Sequence, residues 1–234
     1  MIETMGNLHF EGVMLSFLII GFYFLIKMKW LFAAIFIACA IHVKLIPIVL
    51  LPFMLRYLGW KRGIIVYALI GFFSLLLAAI YFGPHNYLNF RASLTLYFEA
   101  FQFNSLIYHH YMEYSKELYG YYRADIYGPM LSRFGMFLIL SLAFFGGRVD
   151  FKKMITRMIF GLLLYYIFAT TVHPWYVITI RGLSTFTRFS FGIIWSGLIF
   201  MTYAAYRDLD KDTLQPLIHL EYGILLAVVL YELI

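Results

Sequence analysis

Residues 30–58 form an apolar run of nearly thirty residues that cannot be one straight helix. In its second half stands "AIHVKLIPIVLLP" (40–52), with Lys44 three residues ahead of Pro47 and Pro52 a little over one turn further on. Pro47 has no N–H, its ring clashes with the carbonyl of Val43, and it drives Ile46 toward extended backbone. A break of this kind survives at membrane depth only where protein or a wet cavity surrounds it. The run is also too long for one crossing, because a hydrocarbon core of ~30 Å takes about 20 helical residues. Basic residues flank it on both sides, Lys27 and Lys29 before, Arg56, Lys61 and Arg62 after. Lys and Arg favour the cytoplasmic side of a membrane. The expected form is therefore a re-entrant pair of short helices with both basic clusters inside.

Six further apolar segments, 10–26, 64–82, 130–146, 157–172, 189–206 and 216–234, flank that run. The chain is 63% hydrophobic and 13% charged, with a mean hydropathy of +0.83. Soluble domains are about half apolar and about 25% charged, so an ordinary soluble domain is excluded. The expected fold is an all-α polytopic transmembrane bundle of about six to eight membrane segments, one of them broken or re-entrant. It reads as a single integral-membrane domain over 1–234. The segment 84–129 is rich in Tyr, Phe and His, too polar to span, and is expected as short interfacial helices on the outer face.

The net charge of +6 is spread over short loops rather than gathered in a stripe, which excludes nucleic acid as a partner. Alternation of the loops puts 83–130 outside, "GGRVDFKK" (146–153) inside, "VHPWY" (172–176) outside and "YRDLDKD" (206–212) inside. Cys39 is the only cysteine, so no intrachain disulfide forms, and in its apolar run it reads as a small core residue. No asparagine opens an N-x-S/T sequon. Glu3 stands where a signal peptide would carry its basic region.

Ionisable residues inside spans cost roughly 2.5–3.5 kcal/mol each on the insertion scale, so their positions are informative. With the loops arranged as above, they gather toward the outer leaflet. Asn7, His9 and Glu11 open the first span in "GNLHFEG", and Lys44 lies near the tip of the broken one. His109, His110 and Glu113 belong to the outer segment, and His173, Arg181 and Arg188 follow the fifth span. Plainer accounts exist for each. Glu11 suits the positive end of a helix dipole with Asn7 as its cap. Lys44 can snorkel to an interface, and His109, His110, Glu113 and Trp175 can sit as interface anchors. The stretch "TVHPWYVITIRGLSTFTRFS" (171–190) is harder to explain away. If a helix opens at Pro174 and continues, Arg181, Ser184, Thr185 and Arg188 form one polar stripe at i, i+3, i+4 and i+7. Two arginines and two hydroxyls on one face suit an oxyanion such as phosphate.

"GNLHFEG", "HVKLIPIVLLP" and "HPWY" followed by "TRFS" together resemble the GT-C superfamily of polyprenyl-phosphate-dependent glycosyltransferases. The likeness is to its mannosyltransferases, among them the catalytic subunit of GPI mannosyltransferase I, and it runs from residue 6 to residue 190. The resemblance implies a multi-span enzyme that moves a hexose, mannose in the usual case, from a polyprenyl-phosphate donor to a glycan or lipid acceptor at the outer or lumenal leaflet. It implies Lys44, Arg181 and Arg188 as donor-phosphate ligands, and Asn7, His9, Glu11, His173 and Trp175 as residues facing sugar or acceptor. In that family the catalytic acid lies in an outer loop upstream of the region like "GNLHFEG". The chain accordingly resembles the C-terminal two-thirds of such an enzyme, expected to be inactive alone and completed by an N-terminal part or a partner subunit. Glu11 is the only candidate for a substitute base, and no metal ligand is assigned, with a divalent cation left as an optional participant.

Two alternatives stand beside this one. A transporter or flippase of lipid-linked or small polar substrates also uses broken helices with ionisable groups at depth. A non-catalytic membrane subunit would need no catalytic acid. The expected location is a bacterial cell membrane, with the endoplasmic reticulum as the alternative.

Overall fold

The computed structural model describes residues 9–81, 83–95, 101–207 and 211–234. Its architecture is all-helical, with no strand among the described residues. The α-helices are α1 (Glu11–Ile26), α2 (Trp30–Val43), α3 (Ile46–Leu58), α4 (Trp60–Tyr81), α5 (Pro84–Thr95), α6 (Ile107–Tyr119), α7 (Ala124–Phe144), α8 (Phe151–Phe168), α9 (Val177–Ser184), α10 (Phe191–Leu198) and α11 (Lys211–Leu233). Among the described residues there are also two 3-10 stretches, Pro174–Tyr176 and Ile199–Arg207. The chain divides into two compact units, Met1–Arg91 with Leu140–Gly161, and Ala92–Ile139 with Leu162–Ile234.

Among the described residues three helices are long and apolar enough to cross a membrane: Trp60–Ile80, Ala124–Phe144 and Leu214–Leu233. Much of their apolar surface faces outward; on α4, Leu75 is 73% and Ile80 80% exposed. Apolar surface left open in this way is what lipid covers. These helices mark a membrane protein. Four apolar segments are shorter: Glu11–Ile26, Trp30–Val43, Ile46–Leu58 and Phe191–Tyr203. At 1.5 Å per residue the 16 residues of α1 reach only about 24 Å, less than the ~30 Å of hydrocarbon.

In the first unit, α1 and α2 pack together, joined by a tight turn in which Met28 takes a positive φ of 59°. Met14, Leu18, Gly21, Phe22 and Leu25 bury one stripe of α1. Ala33, Ala34, Ile37, Ala38 and Ile41 answer it from α2. The approach is close: a Cβ at Gly21 would lie 2.7 Å from Cγ1 of Ile37. Small residues at such a contact let backbones touch, which is how helices associate where lipid removes the hydrophobic drive.

The expected break between α2 and α3 is present, but it falls earlier than Ile46. Lys44 is the extended residue, with φ −153° and ψ 146°. Ile46 already starts α3, and Pro47 occupies the first turn of that helix, where its missing N–H costs nothing. Pro52 remains inside α3, and the Tyr67 hydroxyl of α4 donates to the Leu51 carbonyl beside it.

Other helix ends also differ from the hydropathy segments. The side chain of Asp150 accepts from the N–H of Lys153 at 2.7 Å. This capping bond starts α8 at Phe151, six residues before the apolar segment. Its far end stops at Phe168, because Thr170–Val172 is extended against Phe103: Phe103 N–H donates to Thr170 O at 3.2 Å and Val172 N–H to Phe103 O at 2.8 Å. Helix α7 begins at Ala124, with Arg123 gripping Asp125 through bonds of 3.0 and 3.1 Å. The segment 189–206 is not one helix but α10 followed by a 3-10 stretch.

The second unit holds an apolar cluster around α6 and α7. Tyr108, Met112 and Leu131 pack with Ile107, Tyr127 and Phe168, and burial pushes the Tyr108 hydroxyl above its ordinary titration range. Elsewhere in that unit Trp195 is fully buried, with the rings of Tyr166 and Tyr222 edge-on to it at 5.9 Å each.

Candidate functional site

In the first unit the structure joins two of the singled-out residues. Glu11 is the first residue of α1 and is completely buried, while Lys44 sits in the break between α2 and α3. Lys44 Nζ lies 2.9 Å from Glu11 Oε1, and 35% of the lysine side chain stays exposed. Among the described residues, neither carboxylate oxygen of Glu11 has a hydrogen-bond partner beyond this ion pair. Both sequence oddities thus have one cause. An extended residue at the end of α2 turns its amine back onto the first turn of α1, and the pair neutralises itself. His9 precedes α1 in non-helical backbone and is partly buried. Asn7 lies outside the described residues.

In the second unit, His173 is extended before Pro174, which opens a 3-10 turn. The His173 ring is layered between Trp175, at 4.3 Å and 12°, and Phe103, at 4.7 Å and 30°. One face of Trp175 is therefore given to His173. The backbone pairing of Phe103 with Thr170 and Val172 makes this stack.

The polar stripe expected along a continuous helix does not form. Helix α9 stops at Ser184. Thr185 Oγ1 donates to Gly182 O at 2.7 Å and Thr187 Oγ1 to Ser184 O at 3.0 Å. Hydroxyls that bond nearby carbonyls compete with helical backbone bonds, and here they accompany its end. Ser184 turns inward and is buried, whereas Arg181, Thr185 and Arg188 are exposed. Arg188 lies over the Phe189 ring at 5.0 Å and donates through Nη2 to the Glu232 carbonyl at 3.4 Å. Among the described residues no carboxylate forms an ion pair with Arg181 or Arg188.

The candidates in the segment 84–129 are engaged with neighbours. His109 Nδ1 is 3.1 Å from Gln102 Nε2, and His110 Nε2 is 3.1 Å from His219 Nε2. Glu113 accepts from the Tyr122 hydroxyl at 3.2 Å. Among the described residues no three His, Cys, Asp or Glu side chains converge as metal ligands.

One polar centre escaped the sequence reading. Glu221 of α11 is fully buried and accepts from Trp195 Nε1 at 2.7 Å and from Asn104 Nδ2 at 3.2 Å. Its partners are 26 and 117 residues away in sequence, so no local spacing signals it. No family model, curated protein or solved structure matches the chain.

Proposed function

We propose that this protein is a membrane glycosyltransferase, transferring a hexose from a polyprenyl-phosphate donor to an acceptor at the outer leaflet of a bacterial membrane. In this reading the long helices and the shorter apolar ones together make six to eight membrane segments. The observation that carries it is the Glu11–Lys44 pair. Two sequence segments that resemble the same enzyme superfamily, "GNLHFEG" and "HVKLIPIVLLP", meet there at 2.9 Å.

The chemistry is consistent with the role. A lysine ammonium has three donors; one faces Glu11, and the exposed part of the side chain leaves the others for a second anion. A donor phosphate supplies that anion, and its charge grows as the sugar–phosphate bond breaks. Positioned cations act most strongly on such a developing charge, roughly 10²–10³-fold for one well-placed donor. In the second unit Arg181 and Arg188 are exposed and without ion-pair partners among the described residues, and the resemblance offers each of them as a cation for a phosphate. Glu11, paired with Lys44, serves the sugar or acceptor hydroxyls.

The test measures mannose transfer from polyprenyl-phosphate mannose in membranes of cells expressing the protein at its native locus. Lys44→Ala and Arg188→Ala, at equal expression, are expected to lower transfer about 10²-fold each. Undiminished transfer in both variants overturns the assignment. A helix–break–helix with a charged pair is also the architecture of a transporter. Substrate movement into vesicles without any new glycosidic product would establish that second reading instead.

A further inference from the structure

Helix α6 buries Tyr108, Met112 and Ser115. His110 follows Tyr108 by two positions and so points away from that stripe. On α11, Ile218, Tyr222, Leu225 and Val229 are buried, and His219 stands at the edge of their stripe. Both histidines are exposed, yet they meet: His110 Nε2 is 3.1 Å from His219 Nε2. The ring centroids are 5.1 Å apart with planes 21° from parallel, so the two nitrogens are about 2 Å closer than the ring centres. The rings aim their Nε2 edges at each other rather than lying face to face.

A shared hydrogen bond is a weak reason for this meeting. One ring must then carry its hydrogen on Nε2 and the other must not. Water offers exposed nitrogens the same bonds, so the net gain is small. Neutral imidazole nitrogens at this separation suit a metal ion, for which histidine is the commonest protein ligand. With metal–nitrogen distances of about 2.05 Å, a cation touching both nitrogens across 3.1 Å subtends roughly 100°, between the octahedral and tetrahedral angles. The ring that donates moves its hydrogen from Nε2 to Nδ1 through water, and both Nε2 lone pairs are then open to the cation. His109, edge-on to His110 at 5.8 Å, has its Nδ1 engaged with Gln102. Among the described residues no third protein ligand converges, so the remaining positions fall to water. Glu113, three residues beyond His110 on α6, brings negative charge to the same face.

We infer that His110 and His219 form a two-histidine site for a divalent first-row transition cation, which clamps α6 to α11. Imidazole favours such ions over Mg²⁺ and Ca²⁺, which take oxygen ligands. Affinity at nitrogen sites peaks with Cu²⁺ in that series, which makes it the sensitive probe. His219 comes five residues after Leu214, where the membrane-crossing part of α11 begins, about 8 Å along the axis. The site therefore lies toward one end of that helix. It is built within the second unit and is independent of the Glu11–Lys44 pair and of sugar transfer.

The test titrates the untagged full chain in lipid nanodiscs with Cu²⁺ alone and follows bound copper by electron paramagnetic resonance. One tight equivalent is expected, with hyperfine structure from two imidazole nitrogens, displaced by Zn²⁺ and untouched by Mg²⁺. His110→Gln and His219→Gln each keep an amide able to hydrogen-bond the remaining ring but remove one ligand. Each should bind copper at least tenfold more weakly and show a single nitrogen. Zn²⁺ should raise the melting temperature of the parent and leave that of the variants in place. A further readout needs no variant: Zn²⁺ should protect His110 and His219 of the parent from acylation by diethyl pyrocarbonate, read by mass spectrometry. Three results overturn the inference: fewer than two imidazole nitrogens on copper in the parent, acylation of both histidines unchanged by Zn²⁺, or copper affinity unchanged in both variants. The last would make the copper an adventitious ion only, held by other side chains.

Discussion

Glu11 and Lys44 illustrate how a residue can be conspicuous in sequence for a reason that only coordinates resolve. Each is the wrong type for lipid, and that alone made both visible. Their pairing at 2.9 Å was not legible, because nothing local links the first turn of α1 to the end of α2. The buried Glu221–Asn104–Trp195 group was missed altogether for the same reason, its members being far apart in the chain. Asymmetry of burial predicts how the pair behaves. Glu11 is wholly buried and Lys44 about one-third exposed, so removing the lysine leaves a buried carboxylate without an ion-pair partner among the described residues. Lys44→Met should destabilise the protein by about 3 kcal/mol, at the low end for a buried pair because the lysine is partly hydrated. Glu11→Gln should cost less, and the double variant should recover part of the loss, with a coupling of about 1–2 kcal/mol. Reversible unfolding of the four proteins in one detergent measures this. Additive effects would mean that the two side chains do not interact.

Helix centres followed from hydropathy, and helix ends from side chains that hydropathy ignores. Asp150 pulled the start of α8 forward, Arg123 and Asp125 mark the start of α7, and threonine hydroxyls attend the end of α9. The junction of α9 with α10 is the clearest case. Glu232, near the end of α11, accepts from the N–H of Ser190 at 2.7 Å and of Phe191 at 3.2 Å, and also from the Ser190 hydroxyl. A carboxylate brought from a distant helix thus satisfies the free N–H groups of α10 and complements its dipole. Gly192 lets α10 close on α9, since a Cβ there would sit 2.4 Å from Ser184 Oγ and 2.6 Å from Ile180 Cγ2. Removing the cap should loosen this corner without opening the rest of the unit. Glu232→Ala is expected to cost about 1–2 kcal/mol, with amide exchange at Ser190 and Phe191 faster by about tenfold. Glu232→Gln, which keeps an acceptor, should fall between. Equal exchange rates in all three proteins would remove Glu232 as the cap.

Hydropathy reports contact with lipid, and for this reason it exposed the membrane class of the protein but not its division into two units. It also merged what the backbone keeps separate: the run 30–58 is two helices, neither long enough alone to cross. Helix α7 gives the most decisive test of the whole arrangement. Its 21 residues measure about 31 Å, close to the ~30 Å hydrocarbon core. Its first end adjoins the Tyr121–Arg123 turn, and its last leads into "GGRVDFKK", where Arg148, Lys152 and Lys153 cluster. By the preference of Lys and Arg for the cytoplasmic face, that basic loop is expected on the cytoplasmic side. Because Cys39 is the only cysteine, a Cys39→Ala background permits single reporters. Tyr121 is 58% exposed, and a Cβ at Gly147 meets nothing within 4 Å. In intact cells a membrane-impermeant maleimide should label Tyr121→Cys and spare Gly147→Cys, and inverted vesicles should reverse the pattern. Labelling of both positions from one side would mean that α7 does not cross, and the outer-leaflet location assigned to His173 and the arginines would lose its basis.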